Sequence, residues 1–136
     1  MTAPDSSVAI AALAPWHDAH QPARRVLAGA EVRLPAHVAL EVTSALSRMP
    51  DGRRIAAAVV FEALQRGFPE PWLAMDGDGL RKALQKAVDA GVRGGALYDA
   101  LIAATAAAHE AEVLSADQRA LPTYRAMDAV VRFIDV

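Results

Sequence analysis

Residues 97–111 constrain this chain more than any other stretch, because apart from Asp99, Thr105, His109 and Glu110 they are wholly apolar. A segment of helical length with no polar face must be covered on every side, so it reads as a central buried helix. It falls short of the roughly 18–20 apolar residues that span a bilayer, and no other run in the chain approaches that length. The rest of the sequence must supply the covering layers. A chain of 136 residues fits one domain, residues 1–136, with little room for a second. Because 54% of the residues are apolar, many of them alanine, and only 5% aromatic, the expected core is Ala-rich helices lying close against a sheet.

Helical and extended segments alternate around this helix. A short extended start ends at Asp5, and Asp5-Ser6-Ser7 offers three N-cap residues for a helix over residues 8–13 that Pro15 stops. A second helix is expected over 18–28, closed by Gly29, and an extended stretch over 31–35. Val38, Leu40, Val42, Ala45, Leu46 and Met49 mark a largely buried helix over 36–49, and Pro50-Asp51-Gly52 marks a turn. A further helix over 53–66 carries Ile55, Val59, Val60 and Leu64 and ends at Gly67. Residues 72–75 form a strand candidate. The helix over 78–90 is amphipathic, with Leu80, Ala83, Leu84 and Val88 expected to face inward and Arg81, Lys82 and Lys86 outward. Strands are expected at 113–115 and 130–134. Short strands separated by helices imply an α/β fold, a short parallel central sheet flanked by helices.

The chain has no cysteine, which excludes disulfides and thiolate metal sites, so any metal must be held by oxygen or imidazole. Its 14 basic and 16 acidic residues give a formal charge of −2, mild evidence against a protein that coats duplex nucleic acid. The N-terminus lacks the basic start and apolar run of a signal peptide, and a cytoplasmic protein is expected.

Four acids stand where ordinary surface carboxylates need not be. Asp5 follows the first extended segment, at the carboxyl edge where open α/β sheets bind ligands, although an N-cap role explains it as well. Glu41 is flanked by Val38, Leu40 and Val42, and only His37 stands one turn away as a potential cation; a solvated outer face is the competing account. Asp99 opens the apolar helix, where an unpaired buried carboxylate costs several kcal/mol unless a partner or metal meets it. A favourable helix dipole is the competing explanation there, and a functional role is the favoured one. Asp117 ends the strand after that helix, or merely caps the next turn. Converged on one sheet edge, such acids repel by about 4 kcal/mol per pair at ~4 Å and an effective dielectric of 20. A divalent magnesium or manganese ion relieves that repulsion.

In Asp5-Ser6-Ser7-Val8, Leu40-Glu41-Val42, the run from Leu97-Tyr98-Asp99 to Thr105-Ala106, and Leu114-Ser115-Ala116-Asp117, the chain resembles the PIN-domain family, more closely its VapC toxin branch. The order and spacing agree over essentially the whole chain, and the segment around Asp99 is the most specific. Thr2-Ala3-Pro4 departs from the aliphatic run usual before the first acid. The resemblance implies a PIN-like fold and a metal-dependent endoribonuclease, the toxin of a type II toxin–antitoxin system. Asp5, Glu41, Asp99 and Asp117 would be its catalytic acids, holding Mg2+ or Mn2+, with Ser7 orienting the first acid or a bound water. RNA approaching such a site needs local bases, for which Arg48, Arg53, Arg54 and Arg119 are candidates, solvated helix ends being the alternative. His17, His20, His37 and His109 read as surface or packing residues. A VapB-like antitoxin is implied as partner, in a groove drawn from Val59, Val60, Phe61, Leu64, Trp16 or Trp72, residues that equally suit the core. Homodimerisation is usual in the family.

Two other functions fit the residues less well. A PIN-like scaffold that binds protein or RNA without cutting needs the metal site distorted although all four acids are present. A phosphotransferase with Asp5 as nucleophile needs a neighbouring lysine, and only Lys82 and Lys86 exist, on a face assigned to solvent.

Overall fold

Three short strands carry the architecture, and all run parallel, so each connection between them must cross over the sheet. A computed structural model describes residues 1–135, so the end of the single domain expected over 1–136 lies outside the described residues. Strand β1 (Thr2–Pro4) leads into helices α1 (Ser6–Leu13), α2 (His20–Ala28), α3 (Ala36–Ser47), α4 (Ala57–Gly67), α5 (Gly77–Asp89) and α6 (Ala96–Ala108). Strand β2 (Glu112–Ser115), a 3-10 turn (Gln118–Ala120), helix α7 (Leu121–Ala126) and strand β3 (Val131–Phe133) follow. The sheet order is β1-β2-β3, with Pro4 opposite Leu114 and Ser115 opposite Phe133. This is the α/β architecture expected from the alternation of segments. No helix among the described residues is long and apolar enough to cross a membrane.

Pro4 sits in β1 without breaking it, for a reason the pleat supplies. Thr2 donates its N–H to Glu31 and accepts from the Arg33 N–H, whereas Asp5 donates to the Leu114 carbonyl at 2.9 Å. Alternate residues therefore address opposite neighbours, and the missing N–H of Pro4 falls on the side away from β2. Pairing with the 31–35 stretch is accordingly limited to one bridge, Thr2 to Val32. The strand candidate over 72–75 reduces to a single bridge between Leu73 and Pro35.

Alanine sets the packing distances. Helix α1 buries Val8, Ala9, Ala11 and Ala12, and α6 buries Ala100, Ile102, Ala103, Thr105 and Ala106. On α6 the alanines meet Ala3, Val113, Tyr124 and Met127 near the sheet, while Ile102 turns to the cluster of Val38, Val42, Leu46, Val60 and Leu64. Thr105 satisfies its hydroxyl on the Leu101 carbonyl at 2.8 Å.

Several expectations need correction. Helix α4 begins at Ala57 rather than at residue 53, because Gly52 adopts φ +91° and the Ile55 N–H is taken by the Leu46 carbonyl at the end of α3. Leu40, expected inside, is 67% exposed, as is Val59 at 56%. On α5 the expected inward face is turned largely to solvent: Leu80, Leu84 and Val88 are exposed and only Ala87 is buried. Helix α5 is as amphipathic as its sequence indicates, but it lies at the margin of the core and shows it only one narrow edge.

Candidate active site

The carboxyl ends of β1 and β2 bring the acids together. Asp5 is the first residue after β1 and caps α1, its extended backbone (φ −81°, ψ −179°) ending the strand and starting the helix. Its Oδ1 accepts from the Val8 N–H at 3.2 Å and the Ser7 hydroxyl at 2.5 Å, and its Oδ2 from the Tyr124 hydroxyl at 2.6 Å. With 3% of its surface exposed, Asp5 is buried and fully engaged. The capping role is thus observed, and the same side chain stands at the carboxyl edge of the sheet.

Ser7 does more than touch Asp5. Its oxygen also accepts the Ala116 N–H at 2.8 Å, which ties the start of α1 to the end of β2. The Asp117 N–H donates to the Ser115 hydroxyl at 3.1 Å, and its Oδ1 accepts from the N–H and Nε of Arg119, both at 3.0 Å. Asp117 is thus a cap as well, and Arg119 is its ion partner. Glu41, half-buried on α3, accepts from the Ser6 hydroxyl at 3.1 Å and lies 3.5 Å from His37 Nε2.

Asp99 stands in the first turn of α6 and is half-buried. Burial first, then the charges of Asp5, Glu41 and Asp117, push its carboxyl up from the ordinary value to about 6. The four acids from β1, α3, α6 and the end of β2 therefore share one electrostatic neighbourhood. As their side chains lie, no three acidic or imidazole groups among the described residues converge on one point at chelating distance. The arrangement is a cluster of carboxylates in which Asp99 feels the charge of the other three, with Arg119 paired to Asp117. A donor set of oxygen only, carrying excess negative charge, suits a hard divalent cation.

Of the proposed RNA-contacting arginines, Arg48 lines a cleft that Glu41 also lines. Arg53 lies over the Trp16 ring, 5.0 Å from its centre. Arg54 pairs with Asp51 at 3.3 Å and donates to the Met49 carbonyl, so it is bound into its own turn. Arg119 is engaged by Asp117.

Three groups at the site have contacts that were not assigned to them from the sequence. Tyr124 comes from α7, a helix not anticipated, although Pro122 in its first turn is a start signal. Burial, then the charge of Asp5 and the hydrogen bond to it, push the phenol's ionisation well above its ordinary value, so it stays a donor. Ser6 holds Glu41. His37, expected to be a packing or surface residue, stands beside Glu41 and stacks on Tyr98 with ring centres 5.3 Å apart and planes 8° from parallel.

Comparisons with known proteins bear on the family and the fold. The family model for the PIN domain matches residues 3–126. The chain is 39% identical over 134 residues to ribonuclease VapC40 of Mycobacterium tuberculosis, covering 98% of this chain and 99% of that protein. It is 36% identical over 122 residues to ribonuclease VapC27 of the same organism, covering 88% and 87%. Among solved structures it superposes on FitAcB from Neisseria gonorrhoeae with a TM-score of 0.70 at 23% identity, covering 96% of each chain. It also superposes on VapBC2 from Rickettsia felis bound to a promoter DNA fragment, with a TM-score of 0.69 at 13% identity and 98% coverage of each.

Proposed function

The chain belongs to the PIN-domain family, and we infer that it is a VapC-type endoribonuclease, the toxin of a type II toxin–antitoxin pair, hydrolysing RNA phosphodiester bonds with magnesium or manganese. The observation that carries this reading is the Asp99 carboxyl, pushed up to about 6 by burial and by Asp5, Glu41 and Asp117 together. Four acids from separate elements share a field that a divalent cation would relieve at neutral pH.

Asp5, Glu41, Asp99 and Asp117 are the residues that would hold the metal. Bound there, it would supply an activated water and charge stabilisation for the phosphoryl oxygens. The rest falls to the chain. Tyr124, Ser7 and the Val8 N–H fix both oxygens of Asp5, so its free lone pairs keep one orientation. Ser6 donates to Glu41 Oε1, which also lies 3.5 Å from His37 Nε2, and Arg119 pairs with Asp117. Hydrolysis adds water across one P–O bond, and the negative charge that builds on the phosphate meets Arg48 at the near cleft.

Purified protein is expected to cut total cellular RNA into discrete fragments with magnesium or manganese and to leave it intact with chelator. Cleavage undiminished by chelator defeats the metal assignment, and intact RNA in every lane, from folded protein, defeats the ribonuclease.

The antitoxin in this reading lays a helix on the apolar groove between α3 and α4, about 470 Å³, whose walls include Ala39, Leu40, Ala58, Phe61 and Trp72. Val60 and Leu64, named with them from sequence, belong to the core instead. RNA should stay uncut when the protein is mixed with the antitoxin before the RNA is added. A cytoplasmic location accompanies an RNA substrate. Homodimerisation would cover Leu80, Leu84 and Val88, an exposed stripe at four-residue spacing on α5. Leu84→Glu is then expected to turn a dimer into a monomer in sedimentation velocity, and an unchanged coefficient assigns that face to solvent.

A further inference from the structure

Beside the acid cluster lies a cleft of about 310 Å³ whose lining includes Ser6, His37, Glu41, Ser44, Arg48 and Tyr98. It shares Leu40 with the apolar groove between α3 and α4, but adds to its apolar residues aromatic faces, hydroxyls, one guanidinium and one carboxylate. We propose that this cleft is a nucleotide subsite, in which Tyr98, backed by His37, stacks the base of the RNA residue next to the cleaved bond while Arg48 meets its phosphate. The proposal rests on the ribonuclease reading above and adds the place where the strand is gripped.

Three observations carry it. Tyr98 is 55% exposed, yet its ring is held parallel to the His37 imidazole at 5.3 Å. A large aromatic side chain that is both open to solvent and fixed in plane is a platform prepared in advance for another flat ring. Secondly, Arg48, like several other arginines, has no carboxylate partner among the described residues, and it is the arginine that lines this cleft. Its charge can meet an anion that enters there. Thirdly, the cleft and the acid cluster share a wall. Glu41 belongs to both, and Tyr98 immediately precedes Asp99 on α6. A strand whose phosphate lies at the acids therefore has Tyr98 beside it to receive its neighbouring nucleotide.

Stacking on an aromatic ring with a cation at the backbone is how single-stranded nucleic acid is held without strict choice of base. An acidic peptide would gain from Arg48 but would meet Glu41 and the other three acids with no metal-directed phosphate to offset them. A single-stranded RNA is the better fit.

The test begins from the fragment ends in total RNA, which give the cut sequence. A labelled oligoribonucleotide spanning the cut is then hydrolysed under single-turnover conditions, with manganese, by wild type, Tyr98→Ala and Tyr98→Phe. Tyr98→Ala is expected to raise the half-saturating protein concentration roughly five- to a hundredfold, with a much smaller change in the saturated rate, and Tyr98→Phe to stay close to wild type. An oligomer lacking the base next to the cut should no longer distinguish wild type from Tyr98→Ala. Equal melting temperatures of the three proteins would exclude misfolding as the cause. An unchanged half-saturation for Tyr98→Ala overturns the subsite, leaves the ribonuclease standing, and gives the cleft to a polypeptide. A fall in the saturated rate alone also overturns it, since Tyr98 would then be acting through Asp99. No cleavage by wild type removes both readings at once.

Discussion

Asp99→Asn is expected to lower metal-dependent RNA cleavage by roughly 10²–10³-fold, the scale of removing one electrostatic stabiliser from a hydrolytic site, while making the metal-free protein more stable at pH 7.5. The two effects have one origin. The folded chain holds the Asp99 proton up to about pH 6, the unfolded chain only to about 3.8. The stability linked to this proton is therefore complete below pH 3.8 and is lost as pH rises through 6. Asparagine removes a charge that the fold resists at neutral pH, so the stability gap between mutant and wild type should be widest near pH 7.5 and shrink toward pH 5. Manganese should reverse the order by stabilising wild type and leaving the mutant nearly unmoved. Thermal melting at pH 5 and 7.5, with chelator and with manganese, alongside a cleavage assay, measures all of this. A mutant that keeps wild-type cleavage, or a gap independent of pH, contradicts the role given to Asp99.

The second large effect belongs to Tyr124. This side chain has none of its surface exposed, packs among Ala3, Ala103, Val113 and Met127, and donates to Asp5. Tyr124→Ala removes both the ring and the donor, and about 3–5 kcal/mol of stability should go with the ring alone. Tyr124→Phe keeps the ring and leaves Asp5 Oδ2 without its partner, at a cost of about 1–3 kcal/mol. Urea unfolding of the pair separates the packing and hydrogen-bonding parts. If phenylalanine proves as stable as tyrosine, the bond to Asp5 holds nothing in place.

The contrast between Asp99 and Tyr124 also shows what a linear sequence discloses. Asp99 is conspicuous because it interrupts an apolar run, and a carboxylate in such a run needs an explanation within its own segment. The same local logic marks the segment of β2, and Gly29 as the end of α2. Tyr124 carries no such mark, because its reason for being polar lies 119 positions away at Asp5. Helix α5 fails differently. Its spacing discloses a face, but whether a neighbour covers that face depends on where the 69–76 connection sets the helix down, and Leu80, Leu84 and Val88 end outside. His37 was visible as the i−4 neighbour of Glu41, yet its value to the site depends on Tyr98, which arrives from α6.

The contacts that finish Asp5 span nearly the whole polypeptide: Ser7 reaches Ala116 across 109 positions, and Tyr124 reaches Asp5 across 119. Closing loops of that length is slow and comes late in folding. A ribosome making this protein from its N-terminus therefore carries the first acid for almost the entire period of synthesis before α7 emerges to hold it. Prematurely ended chains lack Tyr124, one of the three groups that hold Asp5, so the first acid is fully held only in copies that extend through α7.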